Sequence, residues 1–202
     1  MRTITAGMLV LAGIAGVACS DRSAPSTAPS YSAADVQAPA SAPAGVQGGA
    51  RTGFGFNGTV SGFPTGTVFL TGGGSFDAAT ANNVVPTETD AKSGGGFRCV
   101  YAVAQGPLAG CGTGEGVRWD TAQLLASTGF KCTGADALKT ATTGRDTVVL
   151  RADFYRAGNG NDESFTAAII ISDSDLAPDI DGIQTLWVQG VGCGTAVANF
   201  SR

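Results

Sequence analysis

From residue 147 to residue 154 apolar and polar side chains largely alternate, with Val148, Leu150, Ala152 and Phe154 set between Thr147, Val149, Arg151 and Asp153. A period of two places the first set on one face of an extended strand and the second on the other, whereas a helix would scatter both sets around its circumference. Phe165 to Ile171 reads as a second strand, apolar on both faces and therefore central in its sheet. Asn159-Gly160-Asn161-Asp162, between the two, carries the turn chemistry of a hairpin. Further strands are expected at Phe54 to Val60, Thr67 to Phe76, Phe97 to Ala104, Gly129 to Cys132, Leu186 to Val191 and Thr195 to Phe200, each bounded by glycine or polar turn residues. Residues 54–202 are thus expected to be all-β, as an antiparallel β-sandwich or a small β-barrel-like domain. One helix is expected, Asp120 to Ala126, with Asp120 as N-cap and Leu124 and Leu125 turned inward.

Two glycine triplets, Gly72-Gly73-Gly74 and Gly94-Gly95-Gly96, invite comparison with phosphate-cradling loops. Such a loop needs Lys and Ser or Thr directly after the glycines, and here Ser75-Phe76-Asp77 and Phe97-Arg98-Cys99 follow instead. Bulges or tight turns are the expected use of these glycines.

The amino terminus carries an address. Met1-Arg2 is a minimal positive region, and Ile4 to Val17 is an apolar stretch that falls short of the roughly 20 residues a membrane-spanning helix needs. It ends in Gly16-Val17-Ala18-Cys19, which resembles the lipobox of bacterial lipoproteins. The resemblance implies that residues 1–18 are a signal peptide, that Cys19 is lipid-modified and becomes the first mature residue, and that the chain is held in a membrane of the bacterial cell envelope, facing the periplasm or the exterior. Gly16 stands where that family usually has Leu or another branched aliphatic residue. Small residues at Gly16 and Ala18 also suit ordinary signal peptidase cleavage, whose product is a secreted protein.

Cysteine parity fits the lipidated form. Of five cysteines, four (Cys99, Cys111, Cys132 and Cys193) lie in the downstream domain, so modifying Cys19 removes the odd thiol. In an exported chain those four are expected to form two disulfides. Three connectivities are open, with Cys99–Cys111 and Cys132–Cys193 preferred because the first closes a short excursion through Gly106-Pro107 and the second ties the end of the domain to its middle. Zinc ligation is disfavoured, since no CxxC pair and no histidine occurs.

From Ser20 to about Gly53, Ser and Ala are interspersed with Pro25, Pro29, Pro39 and Pro43. This composition buries too little apolar surface to offset the entropy of ordering, so with Cys19 it is expected to be a disordered tether. Where extended at about 3.1 Å per residue, it holds a domain up to the order of 100 Å from its anchor.

The chemistry open to the domain is limited by what it lacks. Without histidine, Ser-His-Asp and Cys-His catalysis and imidazole metal sites are excluded. A net charge of −4 with no run of Lys or Arg argues against nucleic acid as a partner. Carboxylates remain. A glycosidase needs two of them about 5 to 9 Å apart, and Glu115 and Asp120, on either side of Trp119, are the catalytic candidates, with Asp153 and Glu163 also beside aromatic residues. Trp119 and Trp187 are expected in the core, as large aromatics usually are; of the two, Trp119, between Arg118 and Asp120, is the better candidate for an exposed sugar platform, and Trp187, between Leu186 and Val188, for burial. Two acidic loops, Asn159 to Glu163 and Asp173 to Gly182, concentrate hard oxygen ligands. Asp173, Asp175, Asp179 and Asp181 are the calcium candidates, although neither loop has EF-hand spacing; no other cofactor is indicated. The function expected is a binding or structural module of the envelope, with a glycan or an envelope protein as partner. The alternative is a carboxylate-dependent hydrolase acting on envelope or extracellular glycans.

Overall fold

The computed structural model describes residues 51–84, 91–156 and 163–201. Among the described residues eleven strands form in chain order: β1 (Thr52–Gly62), β2 (Thr67–Phe76), β3 (Lys92–Tyr101), β4 (Arg118–Leu124), β5 (Ser127–Phe130), β6 (Lys139–Thr142), β7 (Thr147–Arg156), β8 (Glu163–Ser172), β9 (Leu186–Val188), β10 (Gly192–Gly194) and β11 (Ala196–Ser201). Nine of them make one antiparallel sheet in the order β10-β9-β8-β7-β4-β3-β2-β1-β11, and β10 pairs back onto β1. Along β1, the pairing of Gly58 with Ala196 in β11 continues in the same register as that of Ser61 with Cys193 in β10, so β10 and β11 act as one strand and the sheet closes on itself. Of the two architectures expected from the sequence, the chain adopts the barrel. Closure leaves no sheet edge free along most of the wall.

Alternation decides which side chains fill the barrel. Phe54, Phe56 and Val60 of β1, Val68, Leu70 and Phe76 of β2, Phe97 and Cys99 of β3, Trp119 of β4, Phe154 of β7 and Ile169 and Ile171 of β8 all belong to one buried cluster. A barrel of about eight strands has an interior just wide enough for side chains to fill, and here aromatic rings fill it. Phe97 meets Phe154 edge-on at 5.1 Å, and Phe56 lies 5.9 Å from Trp119.

The glycine triplets explain how Trp119 fits. They are neither bulges nor turns: Gly72, Gly73 and Gly74 pair in unbroken register with Gly95, Gly94 and Ser93 on one side and with Phe56, Gly55 and Phe54 on the other. Gly72 and Gly95 share the inner face with Trp119, whose indole occupies the space that side chains would take. A Cβ at Gly72 would stand 2.5 Å from Trp119 Cζ2. At Gly95 it would stand 1.9 Å from the Thr71 carbonyl, because the strands approach closely where the wall bends. Trp119 Nε1 donates to that same Thr71 carbonyl at 3.1 Å.

The expected helix at Asp120 to Ala126 is instead the latter part of β4 and the residues after it. Register slips between Thr121 and Gln123, so one extra residue lets Leu124 turn into the barrel while Leu125 joins a second core on the outside. Two consecutive buried leucines imitate a helix pattern because both faces of the wall are covered here. The cover is the β5–β6 hairpin, which packs Phe130 and Ala141 against Val149, Ala168, Ile170 and Trp187. β8 is therefore buried on both faces, as its sequence anticipated, and it pairs with β7 along its whole length. Asn159 to Asp162, the residues read as their connection, lie outside the described residues.

Both disulfides form with the preferred pairing. Cys99–Cys111 folds the chain between β3 and β4 back into one end of the barrel, where Val103 and Leu108 are buried. Cys132–Cys193 fastens the chain after β5 to β10 on the outer wall. These bonds fit an oxidising, extracytoplasmic environment. Among the described residues no helix is long and apolar enough to cross a membrane.

Candidate functional site

The filled interior directs attention to the outer wall. Outward residues of neighbouring strands stand in rows: Thr59, Phe69 and Arg98 are successive partners across β1, β2 and β3, and Asn57, Thr71, Gly96, Arg118 and Tyr155 form the next row. Thr59, Phe69 and Arg98 of the first row and Thr71 and Gly96 of the second, together with Val100, Gly116 and Val117, line a groove of about 500 Å³. Phe69 is half-buried, while Val100 and Val117 are 37% and 49% exposed. Missing side chains at Gly96 and Gly116 keep the groove open. Gly116, at φ +120°, lies against β3, where a Cβ would meet the Phe97 carbonyl at 2.6 Å, so the chain entering β4 needs glycine there.

Arg98 is the charge in this groove. It is exposed and makes no ion pair with any described residue. Arg118, one row along, is committed: its guanidinium lies 4.7 Å from the centre of the Tyr155 ring and its Nε is 3.5 Å from Asp120 Oδ2. Arg98 was not singled out from the sequence. The signal was present, since in Phe97-Arg98-Cys99 the alternation that buries Phe97 and Cys99 turns Arg98 outward, but the partners Thr59, Phe69 and Val117 come from distant parts of the chain.

The two catalytic candidates are not brought together. The Glu115 carbonyl accepts from Cys99 N, whereas Asp120 pairs with Gly94, so their backbones are five strand positions apart along β3, about 17 Å at roughly 3.3 Å per residue. The Glu115 carboxylate accepts from Gly112 N at 2.8 Å and shapes its own turn. Asp120 instead faces Asp153 directly across β4 and β7, and Asp153 Oδ1 accepts from Thr166 Oγ1 at 2.8 Å. The side chain of Glu163 lies outside the described residues. Trp119, the better of the two candidates for an exposed platform, is fully buried in the barrel, as large aromatics usually are, because its outward neighbours are Arg118 and Asp120. Trp187 is buried, as expected, under the hairpin, with Nε1 donating to the Lys131 carbonyl at 3.0 Å.

The four calcium candidates point to different tasks. Asp175 Oδ1 accepts from Ala177 N and Gln184 N, both at 3.0 Å, and so staples its loop. Asp179 Oδ2 lies 3.0 Å from Lys139 Nζ, Asp173 Oδ1 accepts from Ser174 Oγ, and Asp181 is exposed and offers its main-chain carbonyl to Gln184 Nε2. Among the described residues no group of three carboxylates or thiols gathers to hold a metal ion. The other acidic loop falls almost wholly outside the described residues, as does the lipidation candidate Cys19.

The charges on the hairpin serve structure. Burial works to raise the Asp136 carboxyl, but hydrogen bonds from Thr133 Oγ1, Thr133 N and Cys132 N, together with Lys139, prevail and hold it below its ordinary value. Lys139 is raised, chiefly by Asp179, against the opposing effect of its own burial. Asp136 thereby braces the turn that presents Cys132 to Cys193. No family model matches the sequence, and no curated protein or solved structure matches the chain.

Proposed function

We propose that this chain is an exported binding module, lipid-anchored at Cys19 and carried on its Ser/Ala/Pro tether, which binds an envelope or extracellular glycan on the outer wall of the barrel. The observation that carries the reading is a contrast. The interior is packed with aromatic rings, while the outer wall offers a groove of about 500 Å³, within the roughly 300–1,000 Å³ range of ligand sites, floored by rigid strands. Disulfides at two places lock the wall, so a ligand meets a preformed surface and little is lost to ordering it. Hydroxyl-radical footprinting of the full chain, with and without soluble envelope polysaccharide, tests it. Polysaccharide is expected to slow oxidation of Phe69, Val100 and Val117; unchanged oxidation there, with protection confined to another face, would refute the assignment.

One observation favours hydrolysis as a second reading. Asp120 and Asp153 are direct cross-strand neighbours, a placement with Cβ atoms about 4.5–5.5 Å apart, close to the carboxyl spacing of retaining glycosidases, about 5–5.5 Å. Release of reducing ends from the polysaccharide, lost in both Asp120→Asn and Asp153→Asn, would establish it. Release that survives both substitutions, or no release at all, would dismiss it.

A further inference from the structure

We infer that the outer groove selects acidic saccharides, with Arg98 receiving the carboxylate of a uronic acid residue and Phe69 lying under its sugar ring. The inference rests on the glycan-binding reading above and narrows it to a chemical class.

Charge is the first reason. The chain carries a net charge of −4, yet the groove contains an exposed guanidinium with no ion-pair partner among the described residues. A planar guanidinium matches a carboxylate through two parallel N–H···O bonds, a geometry that a neutral sugar cannot supply. The flanking Arg118 is held by Tyr155 and by Asp120, whose carboxylate offsets its charge, so Arg98 is the charge the groove itself offers.

The remaining lining suits a ring that is polar at its edge and apolar on its face. Thr59 and Phe69 are cross-strand partners, as are Phe69 and Arg98, so hydroxyl, aromatic ring and guanidinium lie side by side across three strands. Thr71 adds a second hydroxyl in the next row, and Val100 and Val117 supply apolar walls. Uronic acid residues present the matching set: a carboxylate, several hydroxyls and an apolar C–H face.

Other carboxylate ligands fit less well. A fatty acid needs a closed apolar channel for its chain, and the interior of this barrel is already filled. A peptide that binds by adding a strand needs a free sheet edge, whereas β1 and β2 under the groove are paired on both sides, and β3, beyond its pairing with β4 at Gly94 to Gly96, has its Cys99 backbone bonded to Gly114 and Glu115.

The test uses the full chain with galacturonic acid tetramer as probe, galactose tetramer as its uncharged match and an acetylated tetrapeptide as a competing carboxylate. The acidic tetramer is expected to bind at least about tenfold more tightly than the neutral one, the scale of one charge-assisted contact, and to weaken as salt is raised. Arg98→Gln is expected to abolish the preference, and Arg98→Lys to retain part of it, because the charge remains and the fork is lost. Neither variant should change the melting temperature, since Arg98 is exposed and makes no ion pair among the described residues. Equal binding of both tetramers, a preference untouched by Arg98→Gln, or tighter binding of the tetrapeptide would overturn the inference. If envelope polysaccharide still protects Phe69, Val100 and Val117 in the footprint, the wider glycan reading survives that loss; without such protection both fall.

Discussion

Replacing one glycine of the wall by alanine has opposite effects at two neighbouring sites, Gly72 on the inner face of β2 and Gly55 on the outer face of β1. At Gly72 the new methyl would stand 2.5 Å from Trp119 Cζ2 and 2.7 Å from the Gly94 carbonyl, closer than carbon atoms can approach. The indole is packed on every side in the filled barrel and has nowhere to retreat, so the cost is that of overpacking, about 1–3 kcal/mol. Against it stands the gain from a less flexible unfolded chain, about 0.4–1 kcal/mol. The clash wins, and Gly72→Ala is expected to destabilise by about 1–2 kcal/mol, or roughly 3–8 °C in melting temperature for a domain of this size. At Gly55, on the outer face of β1, the nearest atom a methyl would meet is the Gly72 carbonyl at 3.9 Å. Gly55→Ala therefore keeps the gain without the clash and is expected to stabilise by about 0.4–1 kcal/mol. Urea unfolding followed by circular dichroism measures both, and in a Trp119→Phe background the Gly72→Ala penalty should shrink because the shorter ring withdraws Cζ2. Equal effects at the two glycines, or a penalty unaltered by Trp119→Phe, would refute the placement of the indole over Gly72.

The disulfides differ in the chain they close, with sequence separations of 12 for Cys99–Cys111 and 61 for Cys132–Cys193. Loop-closure entropy gives about 3 and about 4 kcal/mol, so paired Cys→Ala replacement of the second is expected to lower the urea midpoint further. With Asp136 depressed below its ordinary 3.8, its contribution to stability is present above that pH and is lost as pH falls through the folded value. Lys139, raised above 10.5, contributes fully below that pH and loses its effect as pH climbs through the folded value. A stability profile flat near neutrality and falling at both extremes is expected, with the acid limb flattened in Asp136→Asn; an unchanged acid limb would contradict the bracing role of Asp136. Glu115→Gln should weaken the turn at Gly112 without altering glycan binding, checked by melting temperature and titration together.

Much of this barrel is legible in the chain because alternation is local. Val148, Leu150, Ala152 and Phe154 point inward as their spacing dictates, and the doubly apolar Phe165 to Ile171 became the strand that is buried on both faces. The cysteine pairing followed from the lengths of chain that each bond closes. Three features were hidden because they depend on partners far along the chain. The glycine triplets resemble turns until Trp119 is known to lie across Gly72 and Gly95. Leu124-Leu125 resembles a helix face until the β5–β6 hairpin is seen to cover the outer wall. Arg98 attracts no notice among twelve basic residues until closure of the sheet sets it between Thr59, Phe69 and Val117.

A filled interior changes what such a barrel does. With the lumen occupied by Phe56, Phe97, Trp119 and Phe154, the proposed ligand has to be met on the outer surface, where the groove joins apolar walls to Arg98, a charge without an ion-pair partner among the described residues.

Binding on the outer wall presupposes that the protein is exported and anchored, and the intact mass of the chain isolated from membranes, before and after reduction, tests this most directly. The expected result is a chain beginning at Cys19 with a lipid-sized increment on that residue, gaining two hydrogens on reduction for each of its two disulfides. A chain that retains residues 1–18, or that carries free thiols at Cys99, Cys111, Cys132 and Cys193, would contradict it.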